Sequence, residues 1–135
     1  MSEKQDFNHS NEPCILIVED NKAIRSSMGQ WLHHIFSDFE FIQAESGEEA
    51  LELAITRMPI LVLMDIGLPK MNGIEAIRLI KTRLPETRAI VLSIHEEFTY
   101  RKEAFAAGAS AYVPKRTMHG DLVPAIKKIL NQGRS

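Results

Sequence analysis

The chain has 135 residues, 44% hydrophobic and 25% charged, which is typical of a globular domain with one core and is too short for two. Its 16 basic and 18 acidic side chains give a formal net charge of −2, so the overall charge indicates neither a nucleic acid nor an acidic membrane as partner. The single cysteine, Cys14, excludes a disulfide framework, and no apolar run approaches the roughly 18 residues that cross a bilayer. We therefore expect a cytoplasmic protein.

The sequence divides into one domain and two short terminal segments. Residues 1–13 lack apolar periodicity and end at Pro13, so we expect a flexible N-terminal extension. Apolar patterning begins at Cys14 and continues through the last predicted helix, which predicts a domain over residues 14–131. Residues 132–135 are expected to form a C-terminal tail.

Five short apolar runs alternate with longer segments in which apolar residues recur every three or four positions. This alternation is typical of strands joined by helices in a βαβ arrangement. Several runs are almost continuously apolar, as in parallel strands that helices cover on both faces. The predicted strands are Cys14–Val18, Phe39–Ala44, Ile60–Met64, Ala89–Ile94 and Ala111–Val113.

Five helices are predicted between and after these strands. Ser46 and Glu49 have the spacing of a capping box, which places the start of the second helix at Ser46. Gly73 leads into the third helix, and Gly108 ends the fourth. The apolar residues that define the helices are Ile24, Met28, Leu32, Ile35, Ala50, Leu51, Ala54, Ile55, Ile74, Ile77, Ile80, Leu84, Ala104, Phe105, Leu122, Ile126, Ile129 and Leu130.

These elements predict an α/β fold with a doubly wound, five-stranded parallel sheet. Parallel strands joined by helices require right-handed crossovers, which place helices on both faces of the sheet. The expected strand order is 2-1-3-4-5. Ligands of such sheets bind beyond the carboxyl ends of the strands, so the residues at those ends are candidates for a functional site.

Charged and hydroxyl side chains stand at four of the five strand ends. Glu19 and Asp20 follow the first strand, and Asp65 follows the third. Ser93 lies in the end of the fourth strand, and Lys115 comes shortly after the fifth. Because the carboxyl ends of parallel strands meet at one edge, we expect these five side chains to converge.

The three carboxylates predict a Mg²⁺ site. Carboxylates that lie together raise one another's pKa, so a cluster that stays ionised requires a cation. Mg²⁺ prefers oxygen ligands and is usually held by one or two carboxylates with water and phosphate oxygens. Glu19, Asp20 and Asp65 sum to −3, and Mg²⁺ with Lys115 supplies +3.

This balance of charge favours phosphoryl transfer to a carboxylate. A carboxylate can attack phosphorus and form an aspartyl phosphate when a metal and a cation neutralise the transferred oxygens. Asp65 is the candidate nucleophile because it ends the central strand. Ser93 offers a hydroxyl and Lys115 an ammonium group to separate phosphate oxygens.

At these residues the sequence resembles the receiver domain of two-component response regulators, whose fold is the flavodoxin-like, CheY-like (βα)5 sheet. The acidic pair in LIVEDN, the segment LVLMDIGLPKMNGIEAI, the hydroxyl in IVLSIHEE and the lysine in GASAYVPK occur in family order. The resemblance extends from Cys14 to about Leu130. The second half of the chain is similar to receivers of the NarL/FixJ (LuxR-type) group in particular.

The resemblance implies a metal role for four residues. Asp65 matches the phosphoacceptor, and Asp20 and Asp65 match the direct Mg²⁺ ligands. Glu19 matches the acidic partner that acts largely through water. Gly67 matches the position whose backbone oxygen binds the metal.

The resemblance also implies how phosphorylation is sensed. Ser93 and Lys115 match the pair that contacts the phosphoryl group, and Tyr112 matches an aromatic switch whose rotamer changes with it. The face that reads out the change is formed by the fourth helix, the fifth strand and the fifth helix. One departure is that Pro114 precedes Lys115, whereas many members of the family place proline directly after the lysine.

The implied function is that of a receiver in a phosphorelay. The implied partners are a sensor histidine kinase or phosphotransfer protein and a downstream effector or fused output domain, with a homodimer as a further option. The chain is expected to catalyse only its own phosphoryl transfer and dephosphorylation. It belongs, on one interpretation, to the N-terminal part of a DNA-binding regulator, although we expect this chain itself to bind neither nucleic acid nor membrane.

Three alternative functions remain open at this stage. A Mg²⁺-dependent phosphohydrolase would use Asp65 as nucleophile, but such enzymes commonly need a second aspartate where Gly67 stands. A flavodoxin-type cofactor carrier should have a phosphate loop rich in Ser, Thr and Gly after the first strand, where Glu19 and Asp20 stand instead. A receiver-like interaction module that works without phosphorylation is the third alternative.

Overall fold

The computed structural model describes residues 12–68 and 71–132 of the chain. Most of the expected N-terminal extension, residues 1–11, lies outside the described residues. The last three residues of the expected C-terminal tail, 133–135, lie outside them as well. The described residues therefore include the whole predicted domain apart from residues 69 and 70.

Five parallel strands form one sheet in the order β2-β1-β3-β4-β5, as the sequence predicts. Their register aligns Leu16 of β1 with Val62 of β3, and Ser93 of β4 with Pro114 of β5. The strands are β1 (Cys14–Val18), β2 (Glu40–Ala44), β3 (Leu61–Asp65), β4 (Arg88–Ser93) and β5 (Ala111–Pro114).

The predicted end of the fourth strand is wrong by one residue. β4 ends at Ser93, and Ile94 is 75% exposed beyond the sheet. Pairing with β5 stops at Ser93, and the next turn is closed locally, because the His95 N–H donates to the Ser93 hydroxyl. Asp65, which we expected after the third strand, is instead its last residue.

Five α-helices connect and follow the strands. They are α1 (Lys22–Ile35), α2 (Gly47–Arg57), α3 (Gly73–Arg83), α4 (Phe98–Ala107) and α5 (Met118–Gln132), with a short 3-10 turn at Lys115–Thr117 before α5. Within the described ranges, no helix is both long enough and apolar enough to cross a membrane.

The sheet separates two hydrophobic cores, because alternate strand residues point to opposite faces. On one face, Leu16 and Val18 of β1 pack with residues of α2, α3 and α4. On the other face, Ile15 and Ile17 pack with residues of α1 and α5. The central strands β1 and β3 are buried throughout, which explains why their sequences are continuously apolar until the acidic residues at their ends.

Side chains cap the helices that begin beside the sheet edge. The carbonyl oxygens of the Asn21 and Asn72 side chains accept from the N–H groups of Ile24 and Glu75. The Ser46 hydroxyl accepts from the Glu49 N–H, as the predicted capping box requires. The Glu49 carboxylate reaches back to the N–H of residue 45, one residue before the cap position.

The predicted apolar stripe of α1 is buried only at its centre. Met28 and Leu32 are buried in the core, whereas Ile24 is 42% and Ile35 is 40% exposed. Ile24 instead lines an apolar cleft of about 410 Å³ with Trp31 and Met118, between α1 and the start of α5. The stripe therefore continues beyond the surface that the sheet covers.

The helix α4 buries only small side chains in the core. Its buried residues are Ala104 and Ala107, whereas α3 buries Ile74, Ile77 and Ile80 among others. Phe98 is 75% exposed and Phe105 is 46% exposed. The helix is thus attached mainly through two alanine side chains.

Two glycines are required by the backbone near α3 and α4. A Cβ atom on Gly73 would lie 2.6 Å from the Asp65 carbonyl oxygen, so α3 can begin this close to the end of β3 only without a side chain. Gly108 ends α4 with a φ of 117°, a conformation that L side chains rarely adopt.

Candidate functional site

Three carboxylates meet at the carboxyl ends of β1 and β3. Glu19 directly follows β1, and Asp65 is the last residue of β3, the strand that pairs with β1. One oxygen from each of Glu19, Asp20 and Asp65 lies within 4.8 Å of the others. Glu19 and Asp65 are buried and Asp20 is exposed, so the cluster opens to solvent on the side of Asp20.

Lys115 joins the two buried carboxylates. It begins the 3-10 turn after β5, and its Nζ lies 3.0 Å from Glu19 Oε1 and 3.1 Å from Asp65 Oδ2. Burial lowers the pKa of Lys115, but its hydrogen bond to Glu19 and the charge of Asp65 outweigh burial and hold the pKa above its ordinary value. Lys115 is therefore a firmly protonated cation in the site.

Backbone N–H groups fix the other oxygens of these two carboxylates. The Asn21 N–H donates to Glu19 Oε2 at 3.2 Å, and the Gly67 N–H donates to Asp65 Oδ1 at 3.0 Å. Gly67 is exposed beside Asp65, and the resemblance implies that its backbone oxygen binds the metal. The contact that the structure gives is made by its N–H.

The donor set fits a hard divalent cation such as Mg²⁺. The cluster consists of carboxylate oxygens, without the histidine or cysteine that softer metals favour. Glu19, Asp20 and Asp65 carry −3 and Lys115 carries +1, which leaves −2 for a divalent ion to neutralise. The side chain of Asp20 is accessible to such an ion because it is exposed.

Ser93 and Tyr112 meet at the backbone of His95. The His95 N–H donates to Ser93 Oγ at 2.8 Å, and the Tyr112 hydroxyl donates to the His95 carbonyl at 2.7 Å. Tyr112 is buried, and the Arg101 guanidinium lies 4.9 Å from the centre of its ring. The predicted hydroxyl and the predicted switch are thus connected through the backbone of one residue in the loop between β4 and α4.

The site predicted from the sequence does not include His95, whose backbone links Ser93 to Tyr112. Its imidazole stacks on Tyr100 with the ring centres 4.4 Å apart. A signal does exist, because a serine hydroxyl often accepts from the N–H two residues later. Asp65 and Gly67 form the same local pattern on the neighbouring strand.

Arg25 is a second residue that the sequence-based site lacks. Its Nη1 donates to the Glu19 carbonyl at 2.7 Å, and its Nε donates to Gln43 Oε1 at 3.2 Å. No sequence spacing indicates this contact, because it depends on how α1 packs beside β2.

The basic residue after Lys115 lies apart from the carboxylate cluster. Arg116 makes two hydrogen bonds to the Glu96 carboxylate, at 2.9 and 3.0 Å, and these hold the pKa of Glu96 below its usual range. Both side chains are exposed. This ion pair joins the loop before α4 to the segment after β5.

Comparison with known proteins identifies the family. The sequence model described as the response regulator receiver domain matches residues 15–127. The transcriptional regulatory protein DegU of Brevibacillus brevis is 34% identical over 126 residues, which cover 93% of this chain and 53% of that protein. A cyclic di-GMP phosphodiesterase of Thermotoga maritima is 37% identical over 101 residues, 75% of this chain and 26% of that protein.

Solved structures agree with these sequence matches. A two-component response regulator of the LuxR family from Aurantimonas sp. SI85-9A1 superposes with a TM-score of 0.83 at 30% identity, covering 90% of this chain and 86% of that one. The chain spans about half the length of the curated LuxR-type relatives it matches. With the strand order and the family match over residues 15–127, these findings show that the chain belongs to the receiver domains of two-component response regulators.

Proposed function

We propose that Asp65 accepts a phosphoryl group from a histidine kinase or a phosphotransfer protein. The observation that carries this proposal is the position of Asp65 at the end of a buried strand, with its Oδ2 3.1 Å from the Lys115 ammonium and near the carboxylates of Glu19 and Asp20. An aspartate in this setting has an ammonium group beside it, and the proposed Mg²⁺ would supply the second cation that an aspartyl phosphate needs.

We assign the residues around Asp65 to a Mg²⁺ site. Asp20, Asp65 and the backbone oxygen of Gly67 would hold the ion directly, and Glu19 would act through water. When bound, Mg²⁺ supplies positive charge that neutralises the oxygens of the transferred phosphoryl group. The oxygen-only cluster and its formal charge of −2 with Lys115 support this assignment.

In the reaction, a carboxylate oxygen of Asp65 attacks the phosphorus of a phosphohistidine. The new P–O bond forms as the P–N bond of the donor breaks, and the electron pair of that bond returns to the donor imidazole. Lys115 holds its ammonium beside the Asp65 oxygens, where negative charge increases as the phosphoryl group arrives. Ser93 offers its hydroxyl to another phosphoryl oxygen.

Phosphorylation then changes the surface formed by α4, β5 and α5. The Ser93 hydroxyl accepts from the His95 N–H, so turning this hydroxyl toward a phosphoryl group alters the bonding of His95. The His95 carbonyl accepts from the Tyr112 hydroxyl, which carries the change to β5. Tyr112 is the switch residue in this proposal, and its connection to Ser93 through the backbone of His95 supports it.

We infer that the chain acts in the cytoplasm as one part of a longer regulator. LuxR-type relatives and the half-length match support a fused DNA-binding output domain, with DNA bound by that domain and not by the receiver. We propose residues 14–131 as the folding unit, with its own phosphoryl transfer and dephosphorylation as its chemistry. Homodimers through the switched surface belong to the same proposal.

The phosphoacceptor is tested by intact-mass spectrometry after incubation with acetyl phosphate and Mg²⁺. We expect one phosphoryl group on the wild-type chain, none after chelation of Mg²⁺, and none on Asp65→Asn. Asp38→Asn is the matched control, because Asp38 is an exposed aspartate outside the cluster, and it should gain the group normally. Phosphorylation of Asp65→Asn to the wild-type level would contradict the proposal.

A further inference from the structure

The side chain of Arg25 ties the acidic loop to the neighbouring strand. Arg25 lies in the first turns of α1 and is half-buried. Its Nη1 donates to the carbonyl of Glu19, and its Nε donates to the side-chain oxygen of Gln43 on β2. The two donors belong to one rigid guanidinium, so the distance between their acceptors is fixed by the shape of that group.

The Glu19 carbonyl belongs to the peptide that joins Glu19 to Asp20. On its N-terminal side, Glu19 is anchored because its N–H donates to the Ala44 carbonyl at 3.1 Å. On its C-terminal side, the 2.7 Å bond from Arg25 fixes the plane of the peptide that leads to Asp20. The direction of the Asp20 side chain depends on that plane, because Asp20 is exposed and not held by packing.

The absence of a side chain at residue 29 makes room for the other end of this connection. A Cβ on Gly29 would lie 3.0 Å from Nε2 of Gln43, which is closer than nearly all contacts of real Cβ atoms. Gly29, one turn after Arg25 on α1, therefore lets the Gln43 amide lie against the helix with its oxygen toward Arg25. Arg25 thus links the backbone carbonyl of Glu19 to the side chain of Gln43.

We propose that Arg25 is a positioning residue for the Mg²⁺ site, which orients Asp20 by fixing the Glu19–Asp20 peptide. This inference rests on the proposed function, since Asp20 is a ligand only if the site binds Mg²⁺. The orienting role of Arg25 and its positive charge predict opposite effects on Mg²⁺ affinity when Arg25 is removed. A nearby positive charge repels Mg²⁺, so loss of charge alone strengthens binding, whereas loss of orientation weakens it.

The Mg²⁺ dissociation constant, measured by isothermal titration calorimetry at fixed ionic strength, decides between these effects. We expect Arg25→Gln to weaken binding about tenfold, as is usual when a group that orients a metal ligand is removed. Arg25→Lys retains the charge and one donor, and it should restore part of the affinity. Gln43→Leu, which leaves Arg25 in place but removes its second acceptor, should weaken binding in the same direction and to a smaller extent.

Arg57→Gln is the matched control. Arg57 also connects a helix to β2, through a 2.6 Å ion pair with Glu40 at the opposite end of that strand. This variant should lose stability without a change in Mg²⁺ affinity. The inference would be overturned if Arg25→Gln bound Mg²⁺ as tightly as the wild type or more tightly. It would also be overturned if Arg57→Gln lost as much Mg²⁺ affinity as Arg25→Gln.

A kinetic measurement separates positioning from general damage to the fold. Phosphorylation of Arg25→Gln by acetyl phosphate should be slow at limiting Mg²⁺ and should approach the wild-type rate at saturating Mg²⁺. A deficit that persists at saturation would contradict the inference. Wild-type protein that fails to bind Mg²⁺ would overturn the proposed function and this inference together, whereas wild-type binding with unaffected variants overturns the inference alone.

Discussion

Lys115 makes the buried carboxylates of Glu19 and Asp65 compatible with each other in the folded protein. The side chain of Glu19 is 2% exposed and that of Asp65 is 8% exposed, so water solvates neither well. Removing one partner of a buried ion pair leaves the remaining charge without compensation. At this site two negative charges would remain, close to a third on Asp20.

We therefore expect Lys115→Met to destabilise the metal-free protein by about 3 kcal/mol, measured by urea unfolding in the presence of a chelator. Lys102→Met, a change of the same kind at an exposed lysine on α4, should alter stability by less than about 0.5 kcal/mol. Equal stability of the two variants would show that Lys115 does not compensate the carboxylates.

Cys14 gives a prediction about pH. Burial raises the pKa of its thiol above the ordinary value of 9.0, while the charge of Arg57 lowers this pKa and the charge of Glu40 raises it, each to a smaller extent. The unfolded chain loses this proton at lower pH than the folded chain, so the free energy of unfolding should fall as pH rises above about 9. The free energy of unfolding of Cys14→Val, measured by urea titration, should fall less over the same pH range. An equal fall in the wild type and the variant would refute the assignment of this pH dependence to Cys14.

The strand-end residues of the site could be predicted because parallel topology alone brings them together. Asp65 and Lys115 are separated by fifty residues in the chain, yet each stands at the carboxyl end of a strand in one sheet. Arg25 and His95 could not be found in this way, because their contacts depend on the packing of α1 and on the path of a loop. The topology of the sheet determines where each strand ends, but it does not determine which groups a helix side chain or a loop contacts.

At the scale of elements, α4 is constrained at both ends, by hydrogen bonds in the loop before it and by the glycine that ends it. Before it, the backbone N–H and carbonyl of His95 are hydrogen-bonded to the side chains of Ser93 and Tyr112. After it, Gly108 ends the helix at a positive φ, and a Cβ there would lie 2.9 Å from Cγ of Lys81. Hydrogen bonds and backbone conformation therefore constrain both ends of this helix.

Gly108→Ala should destabilise the protein by about 1–2 kcal/mol, because it combines a strained φ with a close contact to Lys81. Gly120→Ala is the opposite case. A Cβ at this position in α5 meets nothing within 4 Å, so alanine should stabilise the helix by about 0.5–1 kcal/mol. Urea unfolding measures both changes, and the same sign for the two variants would contradict this explanation.

The elements themselves were more predictable than their exposure. The capping residue Ser46 and the terminating Gly108 are local signals, and both act as predicted. Ile24 and Ile35 have helical spacing with Met28, but exposure depends on how much of α1 the sheet covers. A pattern of spacing shows which side of a helix is apolar, and the tertiary structure decides how much of that side is buried.

On the scale of the whole molecule, the site links the two halves of the sheet. The carboxylates come from β1 and β3, and the cation follows β5, which lies two strands from β3. A ligand of this site therefore binds only when all three segments are in place. Such a ligand stabilises the entire fold, because the unfolded chain does not present the site.

We expect Mg²⁺ to raise the free energy of unfolding by about 2.7 kcal/mol when its free concentration is about 100 times its dissociation constant. Chelation should remove this increase, as measured by urea unfolding followed by circular dichroism. Asp20→Ala should abolish it, and Asp38→Ala, at an exposed aspartate outside the cluster, should retain it. An increase that survives in Asp20→Ala would exclude Asp20 as a ligand.

Because α4 buries only Ala104 and Ala107, the free energy needed to move this helix is small. Each buried methyl or methylene group contributes about 0.8 kcal/mol, so a displacement of this helix that exposed the two alanine side chains would cost little free energy. A charge-assisted hydrogen bond contributes about 1.5–3 kcal/mol, and every 1.4 kcal/mol changes a population ratio tenfold. In the proposed mechanism, one or two new bonds to a phosphoryl group would therefore be enough to move α4, whereas a helix with a larger apolar face would require more.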